Sequence, residues 1–81
     1  MEINMIAVDR VVDAKGLRCP LPLLKAKKAL NEMAVGEVLE VQATDPGSER
    51  DFKVFAEQSS HEMLSFEQAA EVFVYRIKKG I

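Results

Sequence analysis

Cys19 is the one thiol in the chain, and it sits in the run Gly16-Leu17-Arg18-Cys19-Pro20-Leu21-Pro22. A lone cysteine in a globular chain is most often a small buried hydrophobe. Three local features point instead to a reactive thiol. Cys19 directly precedes Pro20, where a helical pattern begins, so first-turn N–H groups and the helix dipole would favour its thiolate and pull its pKa below the usual thiol range. Lys15 and Arg18 precede it, and Lys25 lies about two turns into the helical segment. Their charges add to the dipole if they lie close and are otherwise simply solvated. Pro20 and Pro22 remove two donors from the first turn and fix φ, which suits a stiff, exposed ledge better than a packed core.

The missing partners narrow the chemistry. In Cys-x-x-Cys redox motifs a second thiol stands three residues on, where this chain has Pro22. With no resolving cysteine, intramolecular dithiol exchange is excluded, and a sulfur placed on Cys19 leaves only by attack from another molecule. A cysteine hydrolase needs a base and a cleft. The single histidine, His61, falls at the start of a predicted strand, and 81 residues leave little room for a cleft. One cysteine and one histidine without clustered partners do not make a zinc site. Neither a metal nor a cofactor is expected.

These residues need a scaffold, and the composition supplies one. The chain is short enough for a single domain over residues 1–81, and its 48% hydrophobic and 30% charged residues are those of a globular domain. A domain of this size buries about 60% of its unfolded surface and has no disulfide to help. The net charge is −2. Nucleic-acid modules usually carry a basic excess, so tight autonomous RNA binding is not expected. The first ten residues, MEINMIAVDR, contain no apolar signal region, and no apolar run approaches the length of a membrane span. With a free thiol, this predicts a cytoplasmic protein.

The pattern along the chain predicts β-α-β-α-β-β. Residues 6–14 are rich in β-branched side chains and stop before Gly16, as a strand would. Leu23, Ala26, Leu30 and Met33 recur at helical spacing, with Gly36 as the C-terminal stop. Residues 37–43 read as a second strand. Asp45 then offers an N-cap and Pro46 a first helical position, before a helix with Phe52, Phe55 and Ala56 on one face. Residues 61–66 alternate, with Glu62, Leu64 and Phe66 against His61, Met63 and Ser65. Residues 71–78 place Phe73, Tyr75 and Ile77 on one side, and the FEQAAE stretch reads as the connection between these last two strands. The predicted architecture is an α/β (α+β) two-layer sandwich: a four-stranded mixed sheet with two helices on one face and a more polar opposite face.

The run GLRCPLPLLKAKKAL, the glycine in VGEVLEV and the segment ATDPGSERDF together resemble the TusA/SirA-like family of small sulfur-carrier proteins, over roughly residues 9 to 79. The resemblance implies a β-α-β-α-β-β two-layer fold like that of the C-terminal domain of translation initiation factor three. It also implies a persulfide relay. A cysteine desulfurase or rhodanese-type donor would load a sulfane sulfur onto Cys19, and an acceptor protein would receive it. The sulfur could serve tRNA 2-thiouridine synthesis, cofactor biosynthesis or sulfur oxidation, with less defined roles in selenium metabolism and regulation.

Gly16, Arg18, Pro20 and Pro22 are therefore expected to shape the site around Cys19. Both helices follow strands expected to run parallel, so their N-termini should emerge at one edge of the sheet. That brings the Asp45 turn, Arg50 and Asp51 near the thiol as partner-docking contacts, although capping alone accounts for Asp45. Lys25, Lys27 and Lys28 read as a solvated face able to guide an acidic partner. Leu23, Leu30, Phe52 and Phe55 read as core, and Met5, Met33 and Met63 as packing or terminal residues. The alternative of a different class is a non-catalytic regulatory or protein-interaction module that keeps the fold without using the thiol.

Overall fold

The computed structural model describes residues 6–81. Met5 lies outside the described residues. The elements follow the expected order: β1 (Arg10–Ala14), α1 (Leu21–Asn31), β2 (Val38–Ala43), α2 (Ser48–Gln58), β3 (Glu62–Ala69) and β4 (Val72–Lys78). The sheet order is β1-β2-β4-β3. β1 and β2 are parallel, and β4 runs antiparallel to both β2 and β3. A helical crossover makes β1 and β2 parallel neighbours, whereas the short β3–β4 turn makes that pair antiparallel.

The helices cover one face. Leu39, Val41 and Ala43 of β2 and Phe73, Tyr75 and Ile77 of β4 are buried there against Ala26, Ala29 and Leu30 of α1 and Phe52 of α2. The two small side chains of α1 let the helix approach the sheet closely. The other face is polar. Arg76 bridges Glu40 at 3.0 Å and Glu67 at 3.2 Å, and Gln42 donates to Glu40 at 2.8 Å. The Gln42 hydrogen bond, then Arg76, hold the Glu40 carboxyl below the usual carboxylate range. Lys15 extends this row by donating to Gln42 at 2.8 Å.

Several predicted boundaries move. The first strand begins at Arg10 rather than residue 6, because its parallel neighbour begins only at Val38. Asp9 closes that end, its N–H donating to the Val38 carbonyl and its carboxylate accepting from the Val38 N–H. Gly36 does not stop α1, which ends at Asn31. It turns the chain into β2 with φ +94° and donates its N–H to the Lys79 carbonyl.

Asp45 and Pro46 do not start α2. They form a tight turn in which the Asp45 side chain accepts from Gly47 N–H and its carbonyl from Ser48 N–H, both at 3.0 Å. Gly47 occupies the N-cap position instead. FEQAAE is mostly strand: β3 runs on to Ala69, and the turn is Ala70-Glu71, with Ala70 at φ 55°. Pairing with β4 overrides the absence of any β-specific pattern there. A bulge between Met63 and Ser65 breaks the predicted alternation. It puts Met63 opposite Ile77 and Phe66 opposite Tyr75, so both side chains join the helix-covered side while Leu64 is the extra residue.

Candidate functional site

β1 and β2 end side by side at Ala14 and Ala43, and the loops leaving them lead into the N-termini of α1 and α2. Gly16 ties the two loops by donating its N–H to Thr44 Oγ1 at 2.9 Å. Its φ of +85° lies in the left-handed region that glycine adopts without a Cβ penalty. The chain then reaches Cys19, which is exposed.

Pro20 is the N-cap residue of α1 and Pro22 its second helical residue. The two prolines play different parts. Pro20 is exposed, whereas Pro22 is among the fully buried side chains. The ledge expected from both is thus half anchor: Pro22 fastens the first turn to the core, and Cys19 stands two residues beyond the helix. The Cys19–Pro20 peptide is cis.

α2 supplies the other wall. Ser48 and Tyr75 share a buried 2.8 Å hydrogen bond. Phe52 stacks on the Tyr75 ring at 4.3 Å between centroids. These two contacts flank Asp51 and fix its turn of helix on the sheet. Asp51 accepts a short hydrogen bond from the Cys19 thiol through Oδ2. Between the helices lies a groove of about 610 Å³ lined by Cys19, Leu23, Lys27, Arg50, Asp51 and Phe55, among others.

The expected lowering of the thiol pKa is overturned. The Asp51 hydrogen bond pushes the Cys19 thiol up, followed by desolvation and the negative charges of Asp51 and Asp45, with Arg50 pulling the other way. The reason lies in the first turn of α1. Leu21 N–H is already bonded to the Arg18 carbonyl at 2.7 Å, and Pro22 has no N–H to offer. The donors that would have favoured a thiolate are largely removed, and the thiol instead donates its hydrogen to a carboxylate of the neighbouring helix, which favours the protonated form.

The structure brings Asp45, Arg50 and Asp51 to Cys19, as the parallel-strand argument anticipated. It does not bring Lys15, which pairs with Asp13 at 3.3 Å. Lys25 does not line the groove, and neither it nor Arg18 is among the main causes of the shift at Cys19. His61 is also elsewhere: its Nδ1 accepts from Gly80 N–H at 3.1 Å and its ring packs on Phe55. Burial, then the Lys79 charge, lower its pKa. Among the described residues, no cluster of three or more His, Cys, Asp or Glu could hold a metal, and no helix is long and apolar enough to cross a membrane.

Sequence reasoning missed part of the groove. Leu23 and Phe55 read as core, yet both are half-buried and line it. Lys27 reaches over the Phe55 ring, 5.6 Å from its centroid. Gly47 lines the groove as well. A Cβ there would stand 3.6 Å from Cys19 Cβ and 2.9 Å from the Asp45 carboxylate, so the bare glycine keeps this side of the thiol open. The one available signal was the exposed-face position of Lys27 beside the apolar stripe of α1.

The sequence pattern of the family described as sulfurtransferase TusA matches residues 10–79. The chain belongs to this family. The sulfur carrier protein TusA of Allochromatium vinosum is 49% identical over 76 residues, covering 94% of this chain and all of that protein. A putative sulfur carrier protein of Bacillus subtilis, YrkI, is 40% identical over 72 residues, 89% of this chain and 96% of its own. The crystal structure of a SirA-like protein from Desulfitobacterium hafniense superposes with a TM-score of 0.77 at 29% identity, covering 90% of this chain and all of that one. The resemblance expected from the motif and the two-layer α+β fold are both borne out.

Proposed function

We propose that this protein is a sulfur carrier that holds a sulfane sulfur as a persulfide on Cys19. Residues 1–81 would act as one cytoplasmic carrier domain. The carrying observation is an exposed thiol, the one cysteine in the chain, set at a groove between two helix N-termini. The names of the similar proteins support the same role. The groove is far larger than one sulfur atom requires, which fits a persulfide-bearing segment of a donor protein reaching in.

The donor is a cysteine desulfurase or a rhodanese-type protein, and the acceptor is a second protein that takes the sulfur towards tRNA thiolation, cofactor synthesis or sulfur oxidation. Loading is a sulfur transfer between thiols: the Cys19 sulfur attacks the outer sulfur of the donor persulfide, and the donor thiolate leaves. Gly16, Pro20 and Pro22 hold the loop. Arg18, Lys25, Asp45 and Arg50 are docking contacts for the partners, with Leu21 and Val54 as exposed apolar contacts on the two helices.

The test is intact-protein mass after incubation with a desulfurase and cysteine. A gain of about 32 Da, one sulfur atom, is expected on the native chain and none on Cys19→Ser. No gain with any competent donor would leave the chain as a binding module of the same fold.

A further inference from the structure

We propose that Asp51 is the proton acceptor for Cys19 during sulfur loading. This rests on the reading that Cys19 carries the persulfide. It gives Asp51 a catalytic part in place of the docking part the sequence suggested.

The geometry has three components. The Asp51 carboxylate receives the thiol hydrogen directly at the reacting sulfur. A general base must first be within hydrogen-bond reach of the proton it removes. Next, the carboxylate is held in place. Its turn of α2 is fixed through Ser48 and Phe52, on either side of it, to the buried Tyr75 of β4. Finally, the pair faces the groove by which a donor would enter.

The resting charges make such an acceptor necessary. The groups facing Cys19 are Asp51 and Arg50 from α2, Asp45 from the β2–α2 turn and Lys27 across the groove from α1. The Asp51 hydrogen bond and the carboxylate charges outweigh Arg50 and disfavour the thiolate. The nucleophile is the thiolate, so the proton must go somewhere as the sulfur attacks.

The step balances without an oxidant. With R–S–SH as the donor persulfide, the Cys19 sulfur forms a bond to the outer sulfur as the R–S bond to that sulfur breaks. The thiol proton passes to Asp51, and from Asp51 to the departing R–S⁻. The products are Cys19–S–SH and R–SH, with Asp51 again a carboxylate. The carboxylate is a weaker base than a thiolate, so it holds the proton only while the exchange lasts.

The test separates this part from docking and from simple suppression of the thiolate. It uses glutathione persulfide, a donor with no protein surface to dock. Two rates are measured against pH on the native chain, Asp51→Asn and Asp51→Glu: alkylation of Cys19 by iodoacetamide, and gain of one sulfur by intact mass. Asp51→Asn removes the negative charge from the thiol, so alkylation near neutral pH becomes faster. Sulfur gain nevertheless becomes slower, by at least about tenfold, since a positioned base contributes a factor of that order or more. Asp51→Glu recovers part of the sulfur gain.

Sulfur gain in Asp51→Asn that rises in step with alkylation overturns the proposal and leaves the carrier reading standing. A native chain that gains no sulfur from glutathione persulfide or from a desulfurase overturns the carrier reading, and this proposal with it.

Discussion

The two helix N-termini meet at one sheet edge and are built in opposite ways. α1 begins with Pro20, Leu21 and Pro22 and has no acidic residue in its first turn. α2 begins with Ser48, Glu49, Arg50 and Asp51, two of them acidic. Neither has a side-chain cap. Acidic residues suit a helix N-terminus, where the dipole is positive, so α2 is the conventional start. α1 is the depleted one, because its early N–H groups are missing or used. The thiol lies beside the depleted end and takes its electrostatic character from the other helix. A cysteine next to a helix start is therefore not automatically a thiolate. What counts is how many donors that start still has and what stands opposite.

The largest way to break this comparison is to release α2 from the sheet. Phe52→Ala removes a fully buried ring and its stacking on Tyr75, and should cost about 3–5 kcal/mol. Urea unfolding measures the loss. In whatever fraction stays folded, iodoacetamide should alkylate Cys19 more as it would an ordinary cysteine, because Asp51 is no longer held to it. A smaller change at the same anchor is Tyr75→Phe, which keeps the ring and leaves the buried Ser48 hydroxyl without its partner. The expected cost is about 1–3 kcal/mol by the same measurement.

The next prediction sharpens the comparison within α2. Arg50 is the cation that lowers the thiol pKa, against the carboxylates that raise it. Thiolate appears as pH rises through the thiol pKa, so a raised pKa moves the alkylation profile to higher pH. Arg50→Gln should move it further up, opposite in direction to Asp51→Asn. A downward shift would mean that the charges around Cys19 are wrongly assigned. The smallest effect is expected from α1. Lys25 is not among the main causes of the shift at Cys19 and does not line the groove, and Lys25→Gln should leave the alkylation profile nearly where it was while slowing transfer from a protein donor at low salt. An equal slowing with glutathione persulfide would remove Lys25 from docking.

Much of the fold was legible because its signals are local. The stripe Leu23-Ala26-Leu30-Met33 and the β4 alternation Phe73-Tyr75-Ile77 each carry their own periodicity, and both face the core as expected, with Leu23 at its margin. The misreadings occur where backbone pairing decides. The bulge at Met63–Ser65 and the late turn at Ala70-Glu71 exist because β3 must match β4, and nothing in HEMLSFEQAAE announces either. The Asp45-Pro46 turn was misread for a different reason. An N-cap and an Asp side chain bonding two residues ahead use the same residue types, and only the backbone path distinguishes them.

The sequence by itself determined that a single thiol must pass any sulfur outward, since no second cysteine exists to resolve it. It also determined that two helix starts would meet at one edge, since parallel strands separated by a helix leave no other arrangement of those loops. Only the tertiary structure decided which group meets the thiol. That depends on a contact between residues 19 and 51, set by the packing of Phe52 and Ser48 on Tyr75, and no local pattern encodes a distance across thirty-two residues of chain.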